Sequence, residues 1–375
     1  MDLSELQTPC CIVDLARVRG NIESLHKRLE RFDAGLRPHG KTVKNIDLIK
    51  PALKNQPGGI TVSTLREADY YFRNGIKDIT YAVGIGPSKL TVIAKLIQRG
   101  AEIRVILDTR EQLEAVIRAG KEYSIEFPFL IEIDCDGERA GMNPGDPLMI
   151  ELGRMAEKTG RAALEGVLTH AGGSYHSDSA EGIRAVAEME RRAAVQAAEM
   201  LRQAGFNCPV VSVGSTPTAS MARNLDGVTE IRAGVFIFQD LMMAGLGVCS
   251  PEEIALSVLT SVTGYQKSKG WLITDAGWMA LSSAPPGRGG SGFGIACDIE
   301  GNRLDDFRVS STSQEHGIVS SESGMAPDYR RFGIGSRLRI LPNHACATGA
   351  MHDFYFTVDG GTEVTGRLER ANGWY

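Results

Sequence analysis

The chain has 375 residues, of which 42% are hydrophobic and 23% charged, and its formal net charge at pH 7 is -5. This acidic balance predicts no affinity for nucleic acid or acidic membranes, and no apolar run is long enough to span a bilayer. The length predicts one large domain followed by a second. The 7 cysteines are scattered and residues 1–5 lack an apolar signal, so we expect reduced thiols and a cytoplasmic protein.

The first two thirds of the chain alternate between short apolar runs and helical patterns. After Asp14, a candidate helix cap, apolar residues recur at spacings of three and four through residue 29 and predict an amphipathic helix. Strands are then predicted to begin near residues 35, 60, 79, 103, 128, 164, 209 and 229, with helices such as 87–99 and 180–204 between them. Eight strand-helix units within about 240 residues fit an α/β fold, a (β/α)8 barrel of the TIM type. An open doubly wound sheet would give the same alternation, and only the count of eight favours the barrel.

From about residue 250 the pattern changes to strands without long helices between them. The predicted strands span residues 256–265, 271–274, 293–299, 336–341 and 354–358, and residues 281–292 read as a loop rich in Ser, Pro and Gly. This pattern predicts an antiparallel β domain. The predicted domains are therefore a barrel at 12–250 and a β domain at 251–375, to which residues 1–11 are assigned.

Polar side chains follow several predicted barrel strands, at the end where enzymes of this fold place their sites. Lys41 follows the first strand in residues 37–42 (Arg-Pro-His-Gly-Lys-Thr). A lysine at a barrel mouth can hold an aldehyde cofactor as a Schiff base. Arg139 follows the fifth strand, and His170 and Tyr175 follow the sixth. Each of the four is also compatible with an ordinary surface or packed polar side chain.

Gly214, Ser215 and Thr216 end the seventh predicted strand and form the candidate phosphate site. The glycine lets the backbone approach an anion closely, and the hydroxyls and N–H groups at a helix start can donate to it. A serine or threonine at such a position also caps a helix without binding any ligand. The place after the seventh strand, where barrel enzymes commonly bind phosphate, favours the phosphate site.

His344 and Cys346, near the C-terminus, are candidate metal ligands. On an extended segment, side chains two residues apart point to the same face and can reach one ion. Two ligands are too few for a structural zinc site but suit a catalytic one, whose other positions are held by water or substrate. Taken alone, such a pair more often has a structural role than a metal-binding one.

Six short segments carry a resemblance that covers essentially the whole chain. They are 37–42, 214–217 (Gly-Ser-Thr-Pro), 230–234 (Glu-Ile-Arg-Ala-Gly), 275–277 (Asp-Ala-Gly), 315–317 (Glu-His-Gly) and 344–346 (His-Ala-Cys). In this order they resemble the family of D-threonine aldolases and eukaryotic-type D-serine dehydratases. That family implies an alanine-racemase-like, fold-type III enzyme with a pyridoxal-phosphate barrel and a β domain. The chain departs from it at Val43, Phe236 and Met279, where histidine, tyrosine and lysine are common.

The resemblance implies a role for each candidate residue. Lys41 would be the Schiff-base lysine, while His344 and Cys346 would bind a divalent metal, expected to be zinc with manganese or magnesium as alternatives. The family also implies a homodimer. Its dehydratase branch has His-x-Cys at the metal position, as here, and its aldolase branch has His-x-Asp. The implied cofactor contacts are made by Lys41, Arg139, His170, Tyr175, Gly214, Ser215 and Thr216.

The implied activity is β-elimination of water from a D-3-hydroxy amino acid such as D-serine or D-threo-3-hydroxyaspartate, with release of ammonia. Lys41 would remove the α-proton, and the metal would stabilise the departing hydroxide. Retro-aldol cleavage of D-threonine or 3-hydroxy-D-aspartate, to glycine and an aldehyde, needs the same parts and is the alternative. Racemisation would require a second base that the sequence does not identify. A non-catalytic carrier of pyridoxal phosphate would resemble the barrel alone.

Overall fold

The structure, a computed structural model, describes residues 1–56 and 58–375. The strands in these residues are β1 (Cys10–Asp14), β2 (Gly35–Pro38), β3 (Ile60–Val62), β4 (Asp78–Gly84), β5 (Glu102–Leu107), β6 (Phe127–Ile133), β7 (Ala162–Thr169), β8 (Val210–Val213), β9 (Glu230–Ala233), β10 (Leu256–Gln266), β11 (Trp271–Thr274), β12 (Ile295–Cys297), β13 (Arg303–Thr312), β14 (Gly317–Ser321), β15 (Arg337–Leu341), β16 (Phe354–Val358) and β17 (Gly366–Glu369). The α-helices are α1 (Leu15–Leu29), α2 (Ile46–Leu53), α3 (Leu65–Arg73), α4 (Leu90–Gln98), α5 (Arg110–Tyr123), α6 (Leu148–Thr159), α7 (Ala180–Gln203), α8 (Thr216–Met221), α9 (Leu241–Gly245), α10 (Trp278–Leu281) and α11 (Ala345–Ala350). Over the same residues, no helix combines the length and apolar character that crossing a bilayer requires.

The chain divides into two units. The barrel unit comprises Leu25–Gly234 with Ala371–Tyr375, and the β unit comprises Met1–Ser24 with Val235–Arg370. These bounds differ from the predicted domains, because β1 pairs with β10 and β16 and so draws the N-terminal residues into the β unit. The assignment of cofactor and metal to the predicted domains at 12–250 and 251–375 stays a prediction.

The barrel unit is built on a parallel sheet that nearly closes on itself. In the described residues its eight strands run in the order β2-β9-β8-β7-β6-β5-β4-β3. At the remaining seam, β2 and β3 meet at a bridge between His39 and Thr61, where the Gly40 N–H donates to the Thr61 carbonyl at 2.8 Å. In an open doubly wound sheet the two edge strands would not be joined to each other. The alternation in the sequence therefore belongs to a barrel, as predicted.

The barrel helices begin at local signals in the sequence. Asp14 accepts the Ala16 N–H at 3.0 Å and caps α1, as predicted. Thr64 accepts the Glu67 N–H at 3.0 Å at the start of α3. Such caps satisfy backbone donors that the first helical turn leaves without a partner. They fix the residues at which these helices begin.

Ion pairs cross the inside of the barrel. The Arg37 guanidinium donates to Glu230 at 2.6 Å and to both oxygens of Asp78 at 3.0 Å. Arg104 in turn pairs with Asp78 and Glu165. Burial opposes the charge of Arg37, but the two carboxylates outweigh it and raise the pKa of Arg37 above its ordinary value. Since β2 and β4 are not neighbours in the sheet, and neither are β5 and β7, these side chains meet inside the barrel.

The β unit is a nine-stranded sheet in the described residues, in the order β11-β14-β13-β12-β15-β10-β1-β16-β17. Because β11 also pairs with β10, the strands from β11 to β10 curl into a barrel-like form. Its core includes Val258, Leu272, Val309 and Ile340. The predicted antiparallel character is correct for all the pairings described except β1 with β16, which is parallel. The strands β13, β14 and β17 were not predicted.

Replacing Arg37 with alanine is expected to lower the free energy of unfolding by about 3–5 kcal/mol, because Glu230 and Asp78 would lose a buried cation. The matched control is Arg19→Ala, since Arg19 pairs with Asp359 at 2.5 Å on the surface. This control should leave the unfolding midpoint almost unchanged. Urea unfolding followed by circular dichroism measures both variants. Similar midpoints for the two would show that the crossed ion pairs do not stabilise the barrel.

Candidate active site

Lys41 lies in the loop after β2, and its side chain is exposed. Its backbone N–H donates to Nδ1 of His39 at 3.3 Å. Because Nδ1 accepts, Nε2 of His39 carries the hydrogen and donates to the Ser63 hydroxyl at 3.3 Å. The turn requires Gly40, where a Cβ would lie 2.5 Å from a ring carbon of Tyr71. The loop is thus fixed by its backbone while the amine of Lys41 remains accessible.

His170 follows β7 and is held as a neutral imidazole. Its Nδ1 donates to the Gly214 carbonyl at 3.1 Å, since a carbonyl oxygen only accepts. Burial, reinforced by the charges of Arg232 and Lys41, lowers the pKa of His170 to about 4. Its Nε2 is therefore an acceptor near neutral pH. The Tyr175 ring lies beside it, with 6.3 Å between ring centroids.

The turn at Gly214 requires a glycine. Its φ is 126°, and a Cβ there would overlap the carbonyl oxygen of Arg232. Ser215 caps α8 by accepting the Thr218 N–H at 3.2 Å, and its hydroxyl also lies 3.1 Å from that of Ser174. The helix-capping interpretation of this turn is therefore correct. Phosphate binding by Gly214, Ser215 and the buried Thr216 stays a proposal.

Two buried charged side chains, Glu190 and Arg232, lie beneath this turn. Glu190 on α7 accepts the N–H groups of Gly214 and Ala171, each at 3.0 Å. Arg232 on β9 donates to the Ser212 hydroxyl at 2.6 Å. Burial raises the pKa of Glu190 and lowers that of Arg232, while each charge stabilises the other. Glu190 gave no sequence signal, because a glutamate in a long amphipathic helix usually faces solvent.

Arg139 lies in the loop after β6. Its side chain is 64% exposed and its guanidinium is 3.8 Å from the carboxylate of Glu132. The charge of Arg139 also lowers the pKa of His170, but by less than burial and the charges of Arg232 and Lys41 do. This small effect is that of a charge acting over a distance. The predicted contact of Arg139 with a cofactor ring is not tested by these contacts and stays a proposal.

His344 and Cys346 lie at the start of α11 in the β unit. The segment is not extended, because β15 ends at Leu341 and the chain turns into a helix after Pro342, which has no N–H for a strand ladder. His344 is the N-cap, with φ -140° and ψ 110°, and Cys346 belongs to the first turn. The Cys346 thiol nevertheless hydrogen-bonds to the His344 ring. The two side chains are brought together by the helix start instead of by a strand.

Asp240, the N-cap of α9, fixes the orientation of His344. It is fully buried, and its carboxylate accepts from Nδ1 of His344 at 3.0 Å and from the Ala345 N–H at 2.9 Å. Burial alone would lower the pKa of His344, but the bonds to Asp240 and Cys346 raise it to about 10. With Nδ1 held, Nε2 is the nitrogen left for an ion, as in metal-binding histidines generally. Sequence reasoning missed Asp240, which lies 104 residues before its partner.

No three metal-ligating side chains come together anywhere in residues 1–56 and 58–375. The donor set at α11 is therefore one imidazole and one thiol, with a carboxylate behind the imidazole. Such a pair fits a divalent ion whose remaining positions are filled by water or substrate.

His170 makes stability depend on pH in a defined direction. Its pKa is about 4 in the fold against an ordinary value of 6.5, so between these values a falling pH protonates only the unfolded chain. Stability is therefore lost as the pH drops through that window. His170→Gln should lose less stability than the wild type when cofactor-free proteins are unfolded in urea at about pH 7 and about pH 5. An NMR titration midpoint near 6.5 for His170 would contradict the effect of burial.

Comparison with known proteins gives matches along the chain. Residues 13–241 match the family "Alanine racemase, N-terminal domain" and residues 255–358 match the family "Putative serine dehydratase domain". The D-threo-3-hydroxyaspartate dehydratase of a Delftia species is 45% identical over 99% of each chain. The D-serine dehydratase of Dictyostelium discoideum is 30% identical over 100% of this chain and 98% of its own.

Solved structures agree with these matches. The Delftia dehydratase has a TM-score of 0.96 and covers 100% of both chains. Its structures include a histidine-to-alanine variant and, two positions further on, a cysteine-to-alanine variant in the metal-free form. D-threonine aldolase from Filomicrobium marinum has a TM-score of 0.83 at 25% identity and covers 99% of this chain and 97% of its own. The protein therefore belongs to the alanine-racemase-like family of pyridoxal-phosphate-dependent lyases that contains the D-serine dehydratases and D-threonine aldolases.

Proposed function

We propose that the protein is a pyridoxal-phosphate- and metal-dependent dehydratase of a D-3-hydroxy amino acid, such as D-threo-3-hydroxyaspartate or D-serine. The observation that carries this proposal is the arrangement of Asp240, His344 and Cys346, a prepared metal donor pair that a racemase or a cofactor carrier would not need. The Delftia dehydratase supports it, because it has a histidine and a cysteine at the same spacing and a metal-free form when the cysteine is replaced.

The barrel unit fits pyridoxal phosphate. An accessible lysine amine lies on a fixed loop, and the Gly214 turn presents backbone without a side chain in the way. When bound, this cofactor stabilises the negative charge that develops at Cα as its proton is removed. The residues that would hold it are Lys41, Arg139, His170, Tyr175, Gly214, Ser215 and Thr216.

Lys41 is the proposed base, which takes the α-proton onto Nζ. Burial lowers the pKa of His39 well below its ordinary value and that of His170 to about 4, so both neighbouring imidazoles are neutral. Each neutral ring has one nitrogen that accepts a hydrogen bond, and neither adds a positive charge beside the amine. Lys41 is therefore the group in this set that can both carry a proton and move on a flexible side chain.

The β unit fits a divalent metal held by Nε2 of His344 and Sγ of Cys346. When bound, the ion acts as a Lewis acid on the hydroxide that leaves Cβ. A thiolate ligand favours zinc, with manganese or magnesium as alternatives. Since His344 binds a proton with a pKa of about 10 in the absence of an ion, metal binding must displace that proton and should strengthen as the pH rises.

Retro-aldol cleavage is the alternative function. It is favoured by the structural likeness to D-threonine aldolase, at a TM-score of 0.83. In that reaction the β-hydroxyl loses its proton and the Cα–Cβ bond breaks to give glycine and an aldehyde. The His-x-Cys spacing shared with the Delftia dehydratase favours elimination instead.

The assembly and location of the protein are part of the same proposal. By resemblance to the family we propose a homodimer. None of the cysteines in residues 1–56 and 58–375 takes part in a disulfide, and a cytoplasmic location belongs to the same proposal.

The product pattern tests the reaction. With D-threo-3-hydroxyaspartate or D-serine, the holoenzyme should release ammonium together with oxaloacetate or pyruvate, because water leaves and the resulting enamine is hydrolysed. Lys41→Ala should slow turnover at least about a hundredfold, as loss of a positioned base does, whereas Lys50→Ala, an exposed lysine on α2, should not. Equal amounts of glycine and aldehyde from D-threonine, without ammonium, would establish the aldolase instead.

The metal requirement is tested separately. A chelator should abolish turnover while the visible absorbance of the cofactor persists, and His344→Ala should have the same effect. Asp240→Asn should weaken metal binding about 10–100-fold in calorimetry, because it removes the anion behind the ligating ring. Asp305→Asn is the control, since the Asp305 side chain is 93% exposed. Full turnover in metal-free protein would give His344 and Cys346 a structural role only.

A further inference from the structure

Lys44, three residues after Lys41, has an unusual backbone conformation. Its φ is 47°, in the left-handed region, which costs free energy for a residue that has a Cβ. Its N–H donates to the Gly40 carbonyl at 2.9 Å and so closes the loop that carries Lys41. Such a conformation persists only where the surrounding structure imposes it. The loop therefore needs a contact that holds Lys44 in this turn.

The side chain of Lys44 makes such a contact with helix α3. Its Nζ lies 3.0 Å from Oε1 of Glu67, whose side chain is 0% exposed. Glu67 is in the first turn of α3, and a carboxylate buried there needs a cation or hydrogen-bond donors close to it. Since the Thr64 cap fixes the start of α3, the ion pair anchors the end of the Lys41 loop to a helix that is itself held in place.

The other oxygen of Glu67 is connected to the same loop by a second route. Oε2 accepts the Ser63 N–H at 2.9 Å, and the Ser63 hydroxyl accepts from Nε2 of His39 at 3.3 Å. Nδ1 of His39 in turn accepts the Lys41 N–H at 3.3 Å. The carboxylate of Glu67 is thus connected to the loop on both sides of Lys41, through His39 before it and Lys44 after it.

We infer that Glu67, through its ion pair with Lys44, is a positioning residue that sets where the amine of Lys41 lies. It acts through the backbone of the loop, because its own carboxylate is fully buried. The inference rests on the proposed function, in which Lys41 holds the cofactor and removes the α-proton. A displacement of about 1 Å in a reacting group can slow a reaction about a hundredfold. Substrate binding uses many other groups, so a displaced base should lower kcat more than it changes KM.

Hydrogen exchange measures how firmly the loop is held, whether or not a reaction takes place. In the isolated protein, Glu67→Gln should speed exchange of the Lys41 and Lys44 amides at least about tenfold, because a buried ion pair that held the loop closed is lost. Asp69→Asn is the matched control, since Asp69 lies on the same helix and pairs with Arg99 at 3.0 Å. It should leave exchange of both amides unchanged. Wild-type exchange in Glu67→Gln would overturn the inference.

The change in kcat relative to KM distinguishes positioning from a contribution to stability alone. In the holoenzyme acting on D-threo-3-hydroxyaspartate, Glu67→Gln should lower kcat about 10–100-fold and change KM only about twofold. Lys44→Arg keeps the cation opposite Glu67 and should recover most of the rate. Asp69→Asn should leave both constants unchanged although it also loses an ion pair. A wild-type kcat in Glu67→Gln would overturn the inference.

A double variant keeps the test decisive if Glu67→Gln does not fold. Glu67→Gln combined with Lys44→Met removes both charges, so no unpaired ion remains buried. The new amide oxygen can still accept the Ser63 N–H, and only the ion pair is lost. This variant should show faster exchange at Lys44 and a lower kcat, and wild-type values for either would count against the role of Glu67.

The two measurements also separate this inference from the proposed function. If the wild type forms no ammonium from D-threo-3-hydroxyaspartate, yet Glu67→Gln speeds exchange at Lys41 and Lys44, the proposed function fails and the role of Glu67 in holding the loop stands. If the wild type forms ammonium, and Glu67→Gln matches it in exchange or in kcat, the role of Glu67 fails and the function stands.

Discussion

The barrel unit depends on the hydrogen bonds and the ion pair that the carboxylate of Glu230 makes. One of its oxygens accepts from Arg37, and the other accepts the Ser212 hydroxyl at 2.7 Å, to which Arg232 donates. The ion pairs of Arg37 on β2 therefore belong to the same hydrogen-bonded network as Arg232, which lies beneath the Gly214 turn. Because β2 pairs with β9 in a register that sets Arg37 opposite Arg232, one buried anion is needed between two cations. The loop that carries Lys41 begins where this register ends.

A buried carboxylate also lies behind two of the candidate functional elements. Glu190 accepts two backbone N–H groups at the Gly214 turn, and Asp240 accepts both a backbone N–H and the ring of His344. In both cases an anion is removed from water and compensated by donors that must stay in position. The Gly214 turn and the ring of His344 are thus held on backbones that have little freedom to adjust. This is the form of support that precise chemistry requires.

The sequence identified the barrel and the positions of its loops because buried parallel strands are apolar runs, each followed by an amphipathic helix. Lys41 and Gly214 could be found from the rule that sites lie at strand ends. Strand β13 could not, because the two consecutive aspartates at 305 and 306 break its alternation and few of its residues are buried. The roles of Asp240 and Glu190 depend on partners that are distant in the chain, so the spacing of residues in the sequence does not reveal these roles. Strand alternation would have aligned His344 with Cys346, but the start of a helix brings them together instead, and spacing alone does not distinguish the two geometries.

Both units are assembled from distant parts of the chain. The sheet of the β unit needs β1, near the start, beside β16, near the end. The barrel unit includes residues 371–375, where the Ala371 N–H donates to the Lys44 carbonyl at 2.9 Å and the Trp374 carbonyl accepts the Arg66 N–H at 3.1 Å. During synthesis on the ribosome, the loop that carries Lys41 therefore lacks its last backbone partner until residue 371 has emerged. Neither unit can complete its native contacts co-translationally before the other, so the two must mature almost together.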